Sequence, residues 1–236
     1  MKWNQVLTSS IGRKYVMAIT GLFLVIFLMV HCYVNMTVLF TNGEENFNRA
    51  AHFMSSNILV RIAEIGLFAG IIVHIVQGYA LTMMNRKTRS QKYAVAPLAK
   101  TSSWYSRSMA VLGTLILLFL IVHLANFWVP SRFGELEEVR YDNLMTHNLY
   151  LRMKAIFSSV PIVLLYVAGC ISLAWHLLHG FQSAFQTIGW KQRKYAGLIE
   201  NTGIVFSVLV PLIFALMPVF MYFGWEIPLG NLTFLF

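Results

Sequence analysis

Five long uncharged runs constrain the fold of this chain more than any other feature. The hydrocarbon core of a bilayer is about 30 Å thick, and an α-helix needs about 20 apolar residues to cross it. The runs predict helices over about 15–40, 59–85, 106–130, 156–187 and 202–225. Since 58% of the 236 residues are hydrophobic and only 11% are charged, a soluble domain of this length is excluded. We predict an all-α polytopic membrane protein, with residues 1–236 forming one integral membrane domain.

The distribution of basic residues predicts the orientation of these helices. The chain has 18 Lys and Arg against 9 Asp and Glu, an excess that can indicate nucleic acid binding. Here, however, the basic residues concentrate in the connections 1–14, 86–107 and 191–200, between apolar runs. By the positive-inside rule, connections of this kind are cytoplasmic. We therefore expect a cytoplasmic N-terminus and no nucleic acid partner.

Four histidines within the apolar runs form two matched pairs. Gly78 follows His74, and Gly180 follows His176, at the same four-residue spacing and with an aromatic residue next. On a helix, residues i and i+4 share one face, so each glycine removes bulk beside an imidazole and leaves room for a flat ligand. The other pair is His31 and His123, which Gly21 and Gly113 precede at equal spacing. The alternation of the two patterns along the chain suggests an internal duplication or a pseudo-symmetric bundle, and we expect the first four helices to form the bundle.

The predicted orientation places these histidines at two depths in the membrane. His31 and His123 lie near the outer ends of their helices, whereas His74 and His176 lie nearer the inner ends of theirs. Two imidazoles at matched depth on different helices can bind one metal ion from opposite sides. We therefore predict two b-type haems, each with two histidines as axial ligands of the iron. Such ligation leaves no open position on the iron, which favours electron transfer over oxygen activation.

Other interpretations of these residues stay open at this point. Any one intramembrane histidine also fits a hydrogen bond between helices, although four matched ones favour a function because ionisable groups are costly in hydrocarbon. Gly21 and Gly113 fit either the edge of the inner haem or close helix packing. A transporter that uses intramembrane histidine is the alternative class of function, but transporters usually add acidic groups or broken helices at the midplane.

The four histidines on successive helices, followed by a helix without histidine, resemble a known family. They are similar to the dihaem cytochrome b membrane-anchor subunit of succinate:quinone oxidoreductases, the succinate dehydrogenase and fumarate reductase family. The run His176-x-x-x-Gly180 followed by Ile188-Gly189 matches the ligand helix of that family, and the segment 9–14 is also similar. This resemblance implies that His176, not His179, is the ligand. It also pairs His74 with His176, and His31 with His123. The alternative is the cytochrome b of another quinone-linked dehydrogenase or hydrogenase.

The resemblance implies a respiratory complex II of the bacterial cytoplasmic (inner) membrane, acting in the tricarboxylic acid cycle. Its partners would be an iron–sulfur subunit and an FAD-containing flavoprotein, and the dicarboxylate would react on the flavoprotein and not on this chain. Electrons would pass through the two haems to a membrane quinone, with menaquinone implied. Ala174 stands where dihaem fumarate reductases of the family carry Glu, so succinate oxidation is favoured.

The outer haem suggests a quinone site near the outer face. No residue is assigned as catalytic with certainty, but four polar side chains could bind a quinone carbonyl or pass protons there: Glu64, Tyr33, Asn126 and Trp128. An inner site is the alternative, with Ser9, Arg13, Trp104 and His179 as its contacts. The sequence predicts no role for the long acidic connection 130–154.

Overall fold

The computed structural model describes residues 9–88 and 108–228. Its helices are α1 (Ser10–Asn35), α2 (Gly43–Ser56), α3 (Ile58–Thr88), α4 (Met109–His123), α5 (Val129–Phe133), α6 (Leu149–Phe157), α7 (Val160–Thr187) and α8 (Ala196–Phe223). Among the described residues, five helical stretches are long and apolar enough to cross a membrane: Ser10–Leu39, Ile58–Asn85, Met109–Phe133, Val160–Thr187 and Ala196–Phe223. The prediction of an all-α multi-pass membrane protein is confirmed. The cytoplasmic N-terminus remains a prediction.

The chain divides into two compact units, which we describe separately. The first unit comprises Met1–Phe27, Gly66–Leu115 and Ser172–Val208, and it contains His74 and His176. The second unit comprises Leu28–Ile65, Ile116–Ile171 and Leu209–Phe236, and it contains His31 and His123. Each predicted histidine pair therefore lies within a single unit.

A π-helical turn, Leu124–Trp128, follows His123 directly and leads into α5. Pro130 explains part of this irregularity, because proline has no N–H to donate to the carbonyl of Asn126 one turn earlier. The Asn126 carbonyl instead accepts a hydrogen bond from Arg152 Nε at 3.2 Å. π-Turns of this kind are frequent at functional sites, and this one sets the direction of the side chains that follow it.

The connections of the second unit form a folded cap. Strand β1 (Glu138–Tyr141) pairs antiparallel with β2 (Leu144–His147), and Asp142 adopts a positive φ of 49° in the turn between them. Apolar side chains of α2 and α6, including Phe47, Met153 and Phe157, join the same buried cluster as Tyr166 of α7. The hairpin and α6 account for most of the acidic connection to which the sequence assigned no role, and α2 was not predicted either.

Asn48 ties this cap together. Its side chain is fully buried, and its Nδ2 atom donates to Tyr141 Oη and to Asn148 Oδ1, each at 3.0 Å. Its Oδ1 atom accepts from the backbone N–H of Tyr150, also at 3.0 Å. One amide thus connects α2, the hairpin and the start of α6. Buried polar groups with all partners in place fix one arrangement of the elements around them.

We expect Asn48→Ala to loosen the hairpin, because it removes three hydrogen bonds and leaves the N–H of Tyr150 without its acceptor. The expected cost is about 2 kcal/mol, which corresponds to roughly thirtyfold faster amide exchange in 138–147 if exchange proceeds through local opening. Hydrogen exchange measured by mass spectrometry checks this. Asn46→Ala, the same change at a partly exposed position of α2, is the control. Equal exchange in both variants would contradict the assigned role of Asn48.

Candidate functional site

The histidine pair of the first unit has the separation of two ligands on one metal ion. The ring centroids of His74 and His176 are 6.3 Å apart, with an angle of 64° between the ring planes. A bond from a transition metal to an imidazole nitrogen is about 2.0–2.1 Å long, and the ring centroid lies roughly 1 Å behind that nitrogen. Two imidazoles on opposite sides of one metal ion therefore have centroids about 6 Å apart. The observed distance meets this requirement.

The nitrogens of the two rings have different environments. His74 Nδ1 lies 3.1 Å from Thr20 Oγ1 on α1. His176 Nδ1 is buried and has no hydrogen-bond partner among the residues that the structure describes. A buried polar nitrogen left unpaired costs about 1–3 kcal/mol. The hydrogen bond between helices that could otherwise explain an intramembrane histidine is therefore not observed for Nδ1 of His176.

Two glycines flank this pair in the way that the repeat suggests. A Cβ atom added to Gly21 of α1 would lie 3.4 Å from Cε1 of His74, and one added to Gly113 of α4 would lie 3.7 Å from Cε1 of His176. Each imidazole therefore has a glycine of the preceding spanning helix at its edge. Both glycines therefore lie beside the imidazoles of the first unit, His74 and His176.

The two glycines that follow the histidines differ from each other. A Cβ atom on Gly78 would meet Cε of Met17 at 3.5 Å, whereas one on Gly180 would meet no described atom within 4 Å. Nearby, Gln77 Oε1 is buried without a hydrogen-bond partner in the described part of the chain. The first unit thus offers space beside its imidazoles and a polar group that could bind the rim of a cofactor.

The second unit repeats this geometry. The ring centroids of His31 and His123 are 5.8 Å apart, and their planes are 84° from each other. Asn35 Nδ2 lies 3.4 Å from Nδ1 of His31 and donates to the backbone carbonyl of the same residue at 2.8 Å. Nδ1 of His123 is buried and has no hydrogen-bond partner within the described ranges. The distance again suits two ligands of one metal ion.

Aromatic rings surround the second pair. Phe119 stacks on His123 at 5.7 Å, Phe127 meets it edge-on at 5.4 Å, and Phe214 lies 5.5 Å from His31. Gly169 leaves room for the ring of Phe119, because a Cβ atom at this position would lie 2.5 Å from Cδ2 of that ring. The sequence does not predict these aromatic contacts. They give the pair an apolar surrounding suited to a flat, conjugated group.

Glu64 is the centre of a polar cluster in the second unit. Trp128 Nε1 donates to Glu64 Oε1 at 2.6 Å, and Arg132 Nη2 reaches both carboxylate oxygens at 3.2 and 3.0 Å. Arg61 adds a contact of 3.3 Å. The Glu64 side chain is only 20% exposed, so these charge-assisted hydrogen bonds are stronger than exposed ones would be.

The structure brings two of the four outer candidates together, Glu64 and Trp128. Asn126 bonds instead to Tyr166 Oη at 3.0 Å, and Tyr33 is 39% exposed. Arg132 was missed, although it stands one helical turn after Trp128, a spacing that places both side chains on one helix face. That spacing is the signal that could have identified it.

The inner alternative is only partly described. Ser9 Oγ accepts from the N–H of Gly12 at 3.0 Å and so caps the start of α1, while Arg13 lies in the first turn of that helix. His179 is half-buried on α7. Trp104 lies outside the described residues. These positions neither assemble a site nor exclude one.

Comparison with known proteins gives one informative relative. Over 165 residues, 70% of this chain and 72% of the other, the sequence is 28% identical to the succinate dehydrogenase cytochrome b558 subunit of Bacillus subtilis (strain 168). No family model matches the chain, and no solved structure matches it. The similarity predicted from the four histidines is thus confirmed: this chain resembles the cytochrome b membrane subunit of succinate dehydrogenase.

Proposed function

We propose that this chain is the membrane-anchor cytochrome b subunit of a succinate:quinone oxidoreductase and carries electrons between an iron–sulfur subunit and a membrane quinone. The observation that carries the proposal is the presence of two close imidazole pairs, with centroids 6.3 and 5.8 Å apart. The similarity to a succinate dehydrogenase cytochrome b558 subunit supports the same function.

Each histidine pair would hold one haem b, which supplies one-electron chemistry when bound. His74 and His176 would hold one haem, and His31 and His123 the other. Haem iron needs only two axial ligands from the protein, because the porphyrin supplies the other four. In the first unit, Gly21 and Gly113 leave the edges of the imidazoles uncovered. In the second unit, aromatic rings give His123 apolar neighbours.

The proposed assembly places the reaction of succinate on a partner. An FAD-containing flavoprotein would oxidise the dicarboxylate, and an iron–sulfur subunit would pass the electrons to this chain at the cytoplasmic face of a bacterial membrane. The basic connections that predict this face offer positive charge for docking. Arg193 and Lys194 are both exposed between α7 and α8, and Lys191 is paired with Glu200 at 3.6 Å.

We place the quinone, with menaquinone as the implied type, at the Glu64 cluster. Reduction of a quinone takes two electrons and two protons, so its site needs a group that relays protons from water. The carboxylate of Glu64 can serve as that group, and Trp128 and Arg132 fix its position. The inner alternative, with Ser9, Arg13, Trp104 and His179, remains the competing hypothesis.

Purification from the native membrane tests the proposal. We expect a complex with a flavin-containing subunit and an iron–sulfur subunit, succinate-dependent reduction of quinone, and two haems b for each copy of this chain. A reduced-minus-oxidised absorption spectrum and a haem assay give the haem count. A purified complex without a haem band would refute the proposal. A complex with hydrogenase or another dehydrogenase activity would assign the chain to that enzyme instead.

The basic face gives a separate prediction. We expect Arg193→Gln combined with Lys194→Gln to weaken binding of the iron–sulfur subunit several-fold at low salt and by less at higher salt, because salt screens exposed charges over a Debye length of about 8 Å at 0.15 M. Co-purification at two salt concentrations measures this. Arg140→Gln, at an exposed position of the hairpin, is the control. Retention of the partner by the double variant at both salt concentrations would contradict this docking surface.

A further inference from the structure

One of the four histidines, His74, forms a hydrogen bond with a threonine of another helix, Thr20. The Thr20 hydroxyl lies 3.1 Å from Nδ1 of His74, and the two residues stand on different helices of the first unit. Nδ1 of His176 and of His123 has no partner within the described residues. Nδ1 of His31 lies 3.4 Å from an amide nitrogen of its own helix, Asn35 Nδ2.

The hydrogen atoms around Thr20 determine the direction of this bond. A threonine hydroxyl has one hydrogen and two lone pairs. The Thr20 hydroxyl lies 2.8 Å from the backbone carbonyl of Val16 and 3.2 Å from that of Met17, each of which can only accept. With the hydrogen directed to Val16, Thr20 Oγ1 still has lone pairs that accept from N–H. An N–H at Nδ1 of His74 can therefore donate a hydrogen bond to Thr20 Oγ1, and this tautomer satisfies both groups.

This arrangement selects one tautomer of His74. In a neutral imidazole, protonation of Nδ1 leaves the lone pair on Nε2. Donation from Nδ1–H to an acceptor fixes the orientation of the ring and raises the basicity of the other nitrogen. Gly21, the next residue of α1, contributes no side chain at the edge of the same ring, since even a Cβ atom there would lie 3.4 Å from Cε1.

We propose that Thr20 is a positioning residue for the haem held by His74 and His176: its hydroxyl accepts the Nδ1 proton of His74, fixes Nε2 toward the iron and lowers the reduction potential of that haem. The inference rests on the proposed function, because it requires a haem at this pair. A more basic axial nitrogen stabilises the ferric form of the iron, so loss of the acceptor raises the potential. Thr20 and His74 belong to the first unit, whereas His31 and His123 belong to the second, so the other haem keeps its potential.

The test compares Thr20→Val, which removes the acceptor but keeps the shape, with Thr20→Ser, which keeps the hydroxyl. In the purified complex, we expect Thr20→Val to raise the midpoint potential of one haem. At a fixed applied potential the ratio of oxidised to reduced haem should fall at least threefold, which corresponds to about 28 mV for one electron. The electron paramagnetic resonance signal of the same ferric haem also shifts, since the ring is free to rotate. Thr20→Ser restores both values. Thr82→Val, which removes a hydroxyl bonded to the Gly78 carbonyl of its own helix, changes neither.

The outcomes separate this inference from the proposed function. A wild-type complex without haem refutes the proposed function. Two haems in the wild type, with both potentials and both resonance signals unchanged in Thr20→Val, refute the role of Thr20 alone. If Thr20→Val lowers haem content, the midpoint potential is measured on the haem that remains bound. An unchanged potential means that Thr20 only supports the fold, and it refutes the proposed role. If Thr20→Val instead shifts the midpoint potential of the haem that is lost in His31→Ala, the assignment of Thr20 to the haem of His74 and His176 is wrong.

Discussion

Replacing His74 or His176 with alanine should remove one and the same haem, and replacing His31 or His123 should remove the other. Within each unit the centroids of the two rings are 6.3 or 5.8 Å apart, so we expect each ring to supply half of one ligand pair. Loss of either histidine would leave the haem with one ligand from the protein. Haem content should therefore fall from two to about one for each chain.

Double variants make this expectation sharper. The double variant His74→Ala with His176→Ala should have the same haem content as either single variant, because both changes affect one site and their effects are not additive. His31→Ala with His74→Ala should lose both haems. Reduced-minus-oxidised spectra, together with a redox titration, identify which haem remains. His179→Ala is the matched control, since His179 lies three residues after His176 on α7, and it should retain both haems. If the His31 and His74 variants lose the same haem, the pairing is wrong.

The spanning helices, and the grouping of the four histidines into two pairs, can be predicted from the sequence alone. Both depend on patterns within continuous segments, namely hydrophobicity over a membrane thickness and the constant rise of a helix. For that reason His74 and His176 could be assigned one depth before any contact was known. Gly21 and Gly113 could be singled out for the same reason, because their spacing from His31 and His123 is visible in the chain.

The contacts that the sequence did not predict join segments that are distant along the chain. Thr20 contacts His74, which is 54 residues away in the sequence, and Arg132 contacts Glu64, which is 68 residues away. Helix spacing places Arg132 on one face with Trp128, but it does not show that this face meets Glu64, and it does not anticipate the π-turn Leu124–Trp128. Asn48 likewise pairs with a hairpin whose strands of four residues each lie within a polar, acidic connection.

Quinone-linked turnover should depend strongly on Glu64. In Glu64→Gln the side chain keeps its size and still accepts hydrogen bonds from Trp128 and Arg132, but it can no longer take up and release a proton. General acid–base catalysis by one group contributes about 10²–10⁴-fold, and we expect a loss of roughly 10²-fold in quinone reduction. Trp128→Phe keeps the carboxylate and removes only one donor, so its effect should be smaller.

Two measurements isolate the quinone step. Turnover with a water-soluble acceptor that takes electrons from the flavoprotein should be unchanged in Glu64→Gln, and haem content should remain at two. Glu45→Gln is the matched control, because Glu45 is also paired with an arginine, Arg49 at 2.7 Å, in the same unit. It should retain normal quinone reduction. Full activity in Glu64→Gln, together with its loss on replacing Arg13 or Trp104, would move the quinone to the inner site. The outer haem would then serve as an electron reservoir.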